Sequence, residues 1–143
     1  MARVAVADLM TVLQNPLYAL DRADLPRAVK ESLRLSIIAI AEAYAEDDDA
    51  QKVAPDANSF ARLVKFLEHP HRWSWAPPAI SVSPEGYFSA IWDEPGAHRW
   101  ILDFTPDGEI TETYLQTHPD GRIEHKFGKV QASDHVYPPF AIS

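Results

Sequence analysis

The fold is decided by residues 84–127, whose sequence is PEGYFSAIWDEPGAHRWILDFTPDGEITETYLQTHPDGRIEHKF. A Pro-acid-Gly triplet occurs three times, at Pro84-Glu85-Gly86, Pro106-Asp107-Gly108 and Pro119-Asp120-Gly121. Proline presets the first dihedral of a tight turn, and glycine takes the positive φ that closes a hairpin. Because the spacings between the triplets, 22 and 13 residues, are unequal, the triplets indicate successive hairpins and not a solenoid repeat. The stretch predicts an antiparallel β-meander.

Alternating apolar residues between the turns indicate strands with one buried face. The weaker alternation in the runs at 109–116 and 122–127 is typical of half-exposed strands. With a short strand at 79–83, the meander has four or five strands within residues 73–130. The residues expected to share the core face of the central strands are Phe88, Ala90, Trp92, Trp100, Leu102 and Phe104.

The N-terminal part of the chain, residues 4–69, has helical periodicity. A first helix is predicted at 4–13, ending at Asn15-Pro16, because the residue before a proline avoids the helical region. Residues 17–20 are interpreted as a link.

Two further helices follow the link. A long helix is predicted to begin with Asp24 as N-cap and Pro26 in the first turn, and to run to about Ala45. Asn58 and Ser59 are both competent caps for a third helix, which ends before residues 69–70.

These elements predict an α+β fold, with an N-terminal three-helix layer packed on a four- to five-stranded antiparallel β-meander. The length of 143 residues fits one domain over 1–143. The extended apolar tail at 131–143 contains two adjacent prolines, so it cannot form a central strand. We expect it to pack across the sheet or the helices.

Composition narrows the possible functions. The chain has no cysteine, which excludes disulfides and Cys-based zinc sites. It lacks a secretory signature and a long apolar run, so we expect a cytoplasmic protein without a membrane span. The net charge of −8 argues against direct nucleic-acid binding and favours a more basic protein partner.

No motif in the sequence specifies chemistry. There is no Gly-x-Ser-x-Gly elbow, no phosphate-binding glycine loop and no His-Glu-x-x-His. His69 and His71 flank a proline and lack the spacing of a helical zinc motif. We therefore predict no catalytic residues, no metal and no cofactor, and an enzyme is the less expected class.

Two groups of residues are candidates for a partner-binding surface. Trp73 and Trp75 alternate with polar residues and point to one side, where they either line a groove or pack in the core. Leu35 and Ile38 lie outside the main apolar stripe of the long helix, so either another helix or a partner covers them. A functional surface is expected here or on the polar face of the sheet, and not at the turns.

Three hypotheses of function follow. The first is a non-enzymatic protein-interaction module, such as an inhibitor, immunity or antitoxin-type adaptor, that binds a more basic protein through the two candidate groups. The second is a small-molecule-binding protein or minor enzyme with His98 and His125 in a pocket between sheet and helices. The third is an acidic mimic of nucleic acid that inhibits a nucleic-acid-binding enzyme. The oligomeric state stays open.

Overall fold

The computed structural model describes residues 14–46, 55–130 and 136–142. Within them, the meander is a five-stranded antiparallel sheet in which each strand pairs with the next along the chain. The α+β class and the antiparallel meander are therefore confirmed. The strands are β1 (Ala79–Val82), β2 (Phe88–Glu94), β3 (His98–Phe104), β4 (Ile110–Thr117) and β5 (Ile123–Lys129).

The two Pro-Asp-Gly triplets close their hairpins with the same local chemistry. Gly108 and Gly121 have φ values of 90° and 86°, which side chains with a Cβ rarely adopt. The carboxylates of Asp107 and Asp120 each accept a hydrogen bond from the amide two residues later, at 3.1 and 2.9 Å. The near-identical sequences thus give near-identical turns.

Three helices and a short 3₁₀ turn make up the described helical part. The helix predicted at 4–13 lies outside the described residues. The prediction of a link at 17–20 was wrong, because those residues are helical. Pro16 is in the first turn of that helix, where a proline is tolerated, so it does not end a helix. The helices are α1 (Gln14–Arg22), α2 (Arg27–Glu46) and α3 (Ala57–Leu67), and the 3₁₀ turn is Pro70–Arg72.

The predicted helix caps were misplaced by a few residues. At α2, the carbonyl of Pro26 accepts from the amides three and four residues later, both at 3.1 Å, so Pro26 and not Asp24 holds the cap position. At α3, the carboxylate of Asp56 accepts from the amide of Asn58 at 2.9 Å. Asp56 is thus the cap, and Ser59 has another role.

The helices form one layer on the sheet, in part as expected. Helix α2 packs against β1, and α3 packs against β2 and β3. Helix α1 packs mainly on the other two helices. Strands β4 and β5 extend beyond the helices.

The C-terminal segment, residues 136–142, packs back onto the sheet layer. Val136 and Ile142 are buried, and the carbonyl of Ile142 accepts a hydrogen bond from the amide of Ala76. The ring of Phe140 stacks on His98 with 4.8 Å between the centroids.

Ser59 joins α3 to two strands. Its side chain is fully buried, and its hydroxyl donates to the carbonyl of Phe104 at 2.6 Å. The same oxygen accepts from the amide of Phe88 at 2.8 Å. One small polar side chain therefore fixes the distance between the helix and the ends of β2 and β3.

We expect Ser59→Ala to lower the free energy of unfolding by about 1–2 kcal/mol, because both buried hydrogen bonds are lost. Chemical denaturation measures this change. Ser36→Ala is the matched control, since the Ser36 hydroxyl bonds only to a carbonyl one turn earlier in α2, and we expect a change below about 0.5 kcal/mol. Equal effects of the two substitutions would contradict the bridging role of Ser59.

Candidate functional site

The face of the sheet that meets the helices, called the inner face, is filled by aromatic rings. Trp92 and Trp100 lie opposite each other on β2 and β3, with 4.9 Å between the ring centroids. Trp75 packs against both rings at 5.7 Å and also contacts Phe66 of α3. Because side chains alternate along a strand, this arrangement decides which residues point away from the helices.

The opposite face, called the outer face, is apolar along its middle. Ile91 pairs with Ile101, Ile101 with Thr113, and Thr113 with Phe127, so these side chains form a row across four strands. None of the large apolar residues on this face belongs to, or packs against, the core formed by the described residues. These outer-face residues are Ile91, Ile101, Leu115, Ile123 and Phe127.

Two of the outer-face side chains are largely exposed. Ile123 is 61% and Phe127 is 69% accessible, and both lie on β5. Sequence reasoning expected a polar face here and missed the apolar row. The sequence did contain a signal for this row, because Ile91 and Ile101 alternate with the core residues along β2 and β3. The faces of the four strands, however, line up only once the register is known.

The charges of the outer face leave one carboxylate without a cation. Arg99 pairs with Asp93 at 3.1 Å, and Lys129 pairs with Glu109 at 3.0 Å. Asp103 accepts hydrogen bonds only from serine and threonine hydroxyls on the neighbouring strands, and no cation within the described residues forms a salt bridge with it. The local electrostatic balance of this face is therefore negative.

The pKa of Tyr87 is affected by this negative charge. Burial raises the pKa of its phenol, and the negative charges of Asp103 and, to a smaller extent, Glu85 raise it further. The side-chain hydrogen bond with Ser83 acts in the opposite direction. The acidic end of the outer face thus lies where β2 begins and β3 ends.

The predicted partner-binding residues are in different environments. Leu35 and Ile38 are exposed on α2, at 67% and 37%. Trp73 is 39% exposed and donates its indole N–H to the carbonyl of Glu68 at 3.2 Å. Trp75 belongs to the aromatic cluster of the inner face, so most of its contacts are with the core.

The structure brings only part of this set together. Trp73 and Trp75 line one narrow gap beside Val29, near the start of α2. Leu35 and Ile38 are further along the helix and do not line this gap.

His98 and His125 lie on opposite faces of the sheet. His98 is on the inner side, hydrogen-bonded through Nδ1 to the hydroxyl of Tyr114 at 2.6 Å and stacked on Phe140. His125 is on the outer face, opposite Leu115. The two rings therefore cannot line one pocket. Among the described residues, no group of three side chains is placed to hold a metal ion.

An open cleft of about 980 Å³ lies between α3 and the turn that joins β3 to β4. Its lining mixes cations and acids, including Arg62, Lys65, Glu68 and Glu109. The guanidinium of Arg62 donates to the carbonyls of Thr105 and Glu109, the second at 2.6 Å, so it is committed to holding the turn. The lining also contains His69 and Arg72.

Comparisons of the chain with protein-family models, with curated proteins and with solved structures gave no match. No helix in the described part of the chain combines the length and the apolar character that crossing a membrane requires.

We expect Asp103→Asn to lower the pKa of Tyr87, because Asp103 is the carboxylate that raises this pKa more strongly than Glu85 does. Glu85→Gln should lower the pKa in the same direction by less. An NMR titration of the Tyr87 ring carbon measures both shifts. No response to Asp103→Asn would contradict the negative field assigned to the outer face.

We expect Trp75→Ala to lower the free energy of unfolding by about 3 kcal/mol, because it removes a ring that packs against Phe66, Trp92 and Trp100. Trp73→Ala, two residues earlier and 39% exposed, is the matched comparison, with an expected cost of about 1 kcal/mol. Denaturant unfolding measures both values. A reversed order would place Trp73, and not Trp75, in the core.

Proposed function

We propose that this protein is a non-enzymatic protein-interaction module, of the inhibitor, immunity or antitoxin-adaptor kind, and that it binds a more basic protein through the outer face. The observation that carries the proposal is the apolar row from Ile91 to Phe127, which no core residue within the described chain covers. Contiguous apolar surface of this kind marks interaction sites on globular proteins.

The centre of the row supplies the contacts that give affinity. Ile101 lies between Ile91 and Thr113, and Leu115 lies diagonally beside them, so a partner's apolar side chains would meet a continuous surface. Binding energy concentrates in such central residues once polar neighbours exclude water. The two ion pairs, Arg99 with Asp93 and Lys129 with Glu109, are placed to act as that polar surround.

Charge favours a basic partner. Asp103 is half-buried beside the row and forms no salt bridge with another described residue. A lysine or arginine of a partner would pair with it as water leaves the interface, which favours that partner over an acidic one. The net charge of −8 adds long-range attraction for a basic surface.

Leu35, Ile38 and Trp73 have exposed side chains, and a second partner-contact region at these residues stays a prediction. Trp75 packs against the core and lines the same gap as Trp73, so its role in that region would be to hold Trp73 in position. The small-molecule and nucleic-acid-mimic alternatives also stay predictions, and the first of them loses its histidine pair. A cytoplasmic location is part of the proposal.

The test is affinity capture from the organism that encodes the chain, with the purified wild-type protein and surface variants as baits. We expect the wild type to retain a basic protein in a fixed stoichiometry. The double variant Ile91→Thr with Ile101→Thr should retain at least about tenfold less, because it removes the centre of the row and keeps β-branched residues in the strands. Titration calorimetry with the purified partner then gives the affinities.

Leu35→Gln with Ile38→Gln also replaces two large apolar residues, but on α2, and therefore tests the second contact region. We expect it to weaken capture by less than the outer-face variant, because these two residues lie outside the apolar row. Asp103→Asn should weaken binding and reduce its dependence on salt. The proposal is wrong if no protein is retained in a fixed stoichiometry, or if the outer-face variant retains as much as the wild type.

A further inference from the structure

Strand β5 forms one edge of the sheet, and all seven of its residues are exposed. The ladder to β4 shows which of its backbone groups are unused. The amide of Val130 donates to the carbonyl of Ile110, and the amide of His118 donates to the carbonyl of Arg122, both at 2.8 Å. In an antiparallel pair such hydrogen-bonded positions alternate. The even-numbered residues of β5 therefore bond to β4, and Ile123, His125, Phe127 and Lys129 direct their backbone groups outward.

An edge with unused backbone groups is a template for another strand. Natural edges are often protected by charged side chains that would repel a second strand. Strand β5 also has charged residues on its inner side, Glu124 and Lys126, but they have opposite signs and are two positions apart. Lys126 forms no salt bridge with another described residue.

We propose that β5 pairs with β5 of a second copy of this chain, antiparallel and around a two-fold axis at His125. In this register Glu124 faces Lys126 of the second copy, and the symmetry repeats the ion pair. Ile123 faces Phe127 of the second copy, also twice, on the outer side. The outward backbone groups of Ile123, His125 and Phe127 then meet each other as hydrogen-bonded pairs.

Neighbouring registers are less complementary. An axis at Lys126 would place the two Lys126 side chains opposite each other, and an axis at Glu124 would do the same for two carboxylates, which destabilises a sheet. An axis at Phe127 would leave Lys126 opposite Gly128 and form no ion pair. Glu124 already contacts His118 at 3.3 Å and Arg122 at 3.8 Å, and its side chain stays 53% exposed. It can therefore accept a further cation.

The pairing would join two five-stranded sheets into one of ten strands. The apolar rows of the two outer faces would then be continuous through Ile123 and Phe127 of both copies. The inference needs only this chain, so it does not rest on the proposed partner. It would, however, give that partner a two-fold symmetric surface.

The test is analytical ultracentrifugation of the purified full-length chain over a range of concentrations. We expect a monomer–dimer equilibrium. Lys126→Glu and Glu124→Lys should each raise the dissociation constant about tenfold or more, because two attractive pairs become repulsive. The double variant, with both charges exchanged, should restore the wild-type value, since each glutamate again faces a lysine.

Net charge alone cannot produce this pattern. Lys65→Glu, on the exposed side of α3, changes the charge as much as Lys126→Glu and should leave the dissociation constant unchanged. Hydrogen exchange gives the register: in the dimer the amides of Ile123, His125 and Phe127 should be protected, and dilution should remove this protection.

A monomer at every concentration would overturn the proposal, as would a dimer that ignores both charge reversals. Concentration-independent protection of the three amides in a monomer would show that another part of the same chain covers the edge, and would also overturn it. Ile91→Thr with Ile101→Thr should leave the dimer intact. Failure of partner capture and failure of dimerisation are thus separate results.

Discussion

Trp92 and Trp100 lie directly opposite each other on neighbouring strands, and the orientation of the other side chains of the sheet follows from the direction in which this pair points. Their rings, with Trp75 against them, fill the space under α3. A shift of one residue in the pairing would move every buried side chain to the other face, so burial of these large rings strongly favours one register. In this register the side chains of Ile91 and Ile101 point to the outer face, because they alternate with those of Trp92 and Trp100.

The parts of the structure that could be predicted are those set by local chemistry. The turn triplets and the alternation predicted a meander of four or five strands and their order, because each turn connects adjacent strands and fixes the next pairing. Local signals gave a wrong prediction where one residue is compatible with two different local structures. Pro16 is compatible with ending one helix or with the first turn of another, and it lies in the first turn of α1. Ser59 is a competent cap, but its buried hydroxyl forms hydrogen bonds with the backbone of Phe88 and Phe104 instead.

The candidate site was less predictable for a different reason. Its residues come from four strands, and they share a face only through the register of three hairpins. The separation of His98 from His125 has the same origin, because a residue's face depends on the parity of its strand relative to the next. Sequence patterns gave the apolar residues of each strand but not the surface that they form together. Exposure of Leu35 and Ile38 likewise depends on how α2 lies on β1, which is a tertiary property.

The hydroxyl of Ser59 contacts a carbonyl 45 residues further along the chain, and this separation has a consequence for synthesis of the protein on the ribosome. All three described helices leave the ribosome before the strands that cover them. The side of α3 that packs on the sheet therefore has no sheet partner until β2 and β3 have emerged, whereas each strand of the meander can pair with its predecessor as soon as the turn between them is complete. Helix α3 is made first but can dock on the sheet only after those two strands exist. During that interval the nascent chain presents an amphipathic helix of the kind that chaperones bind.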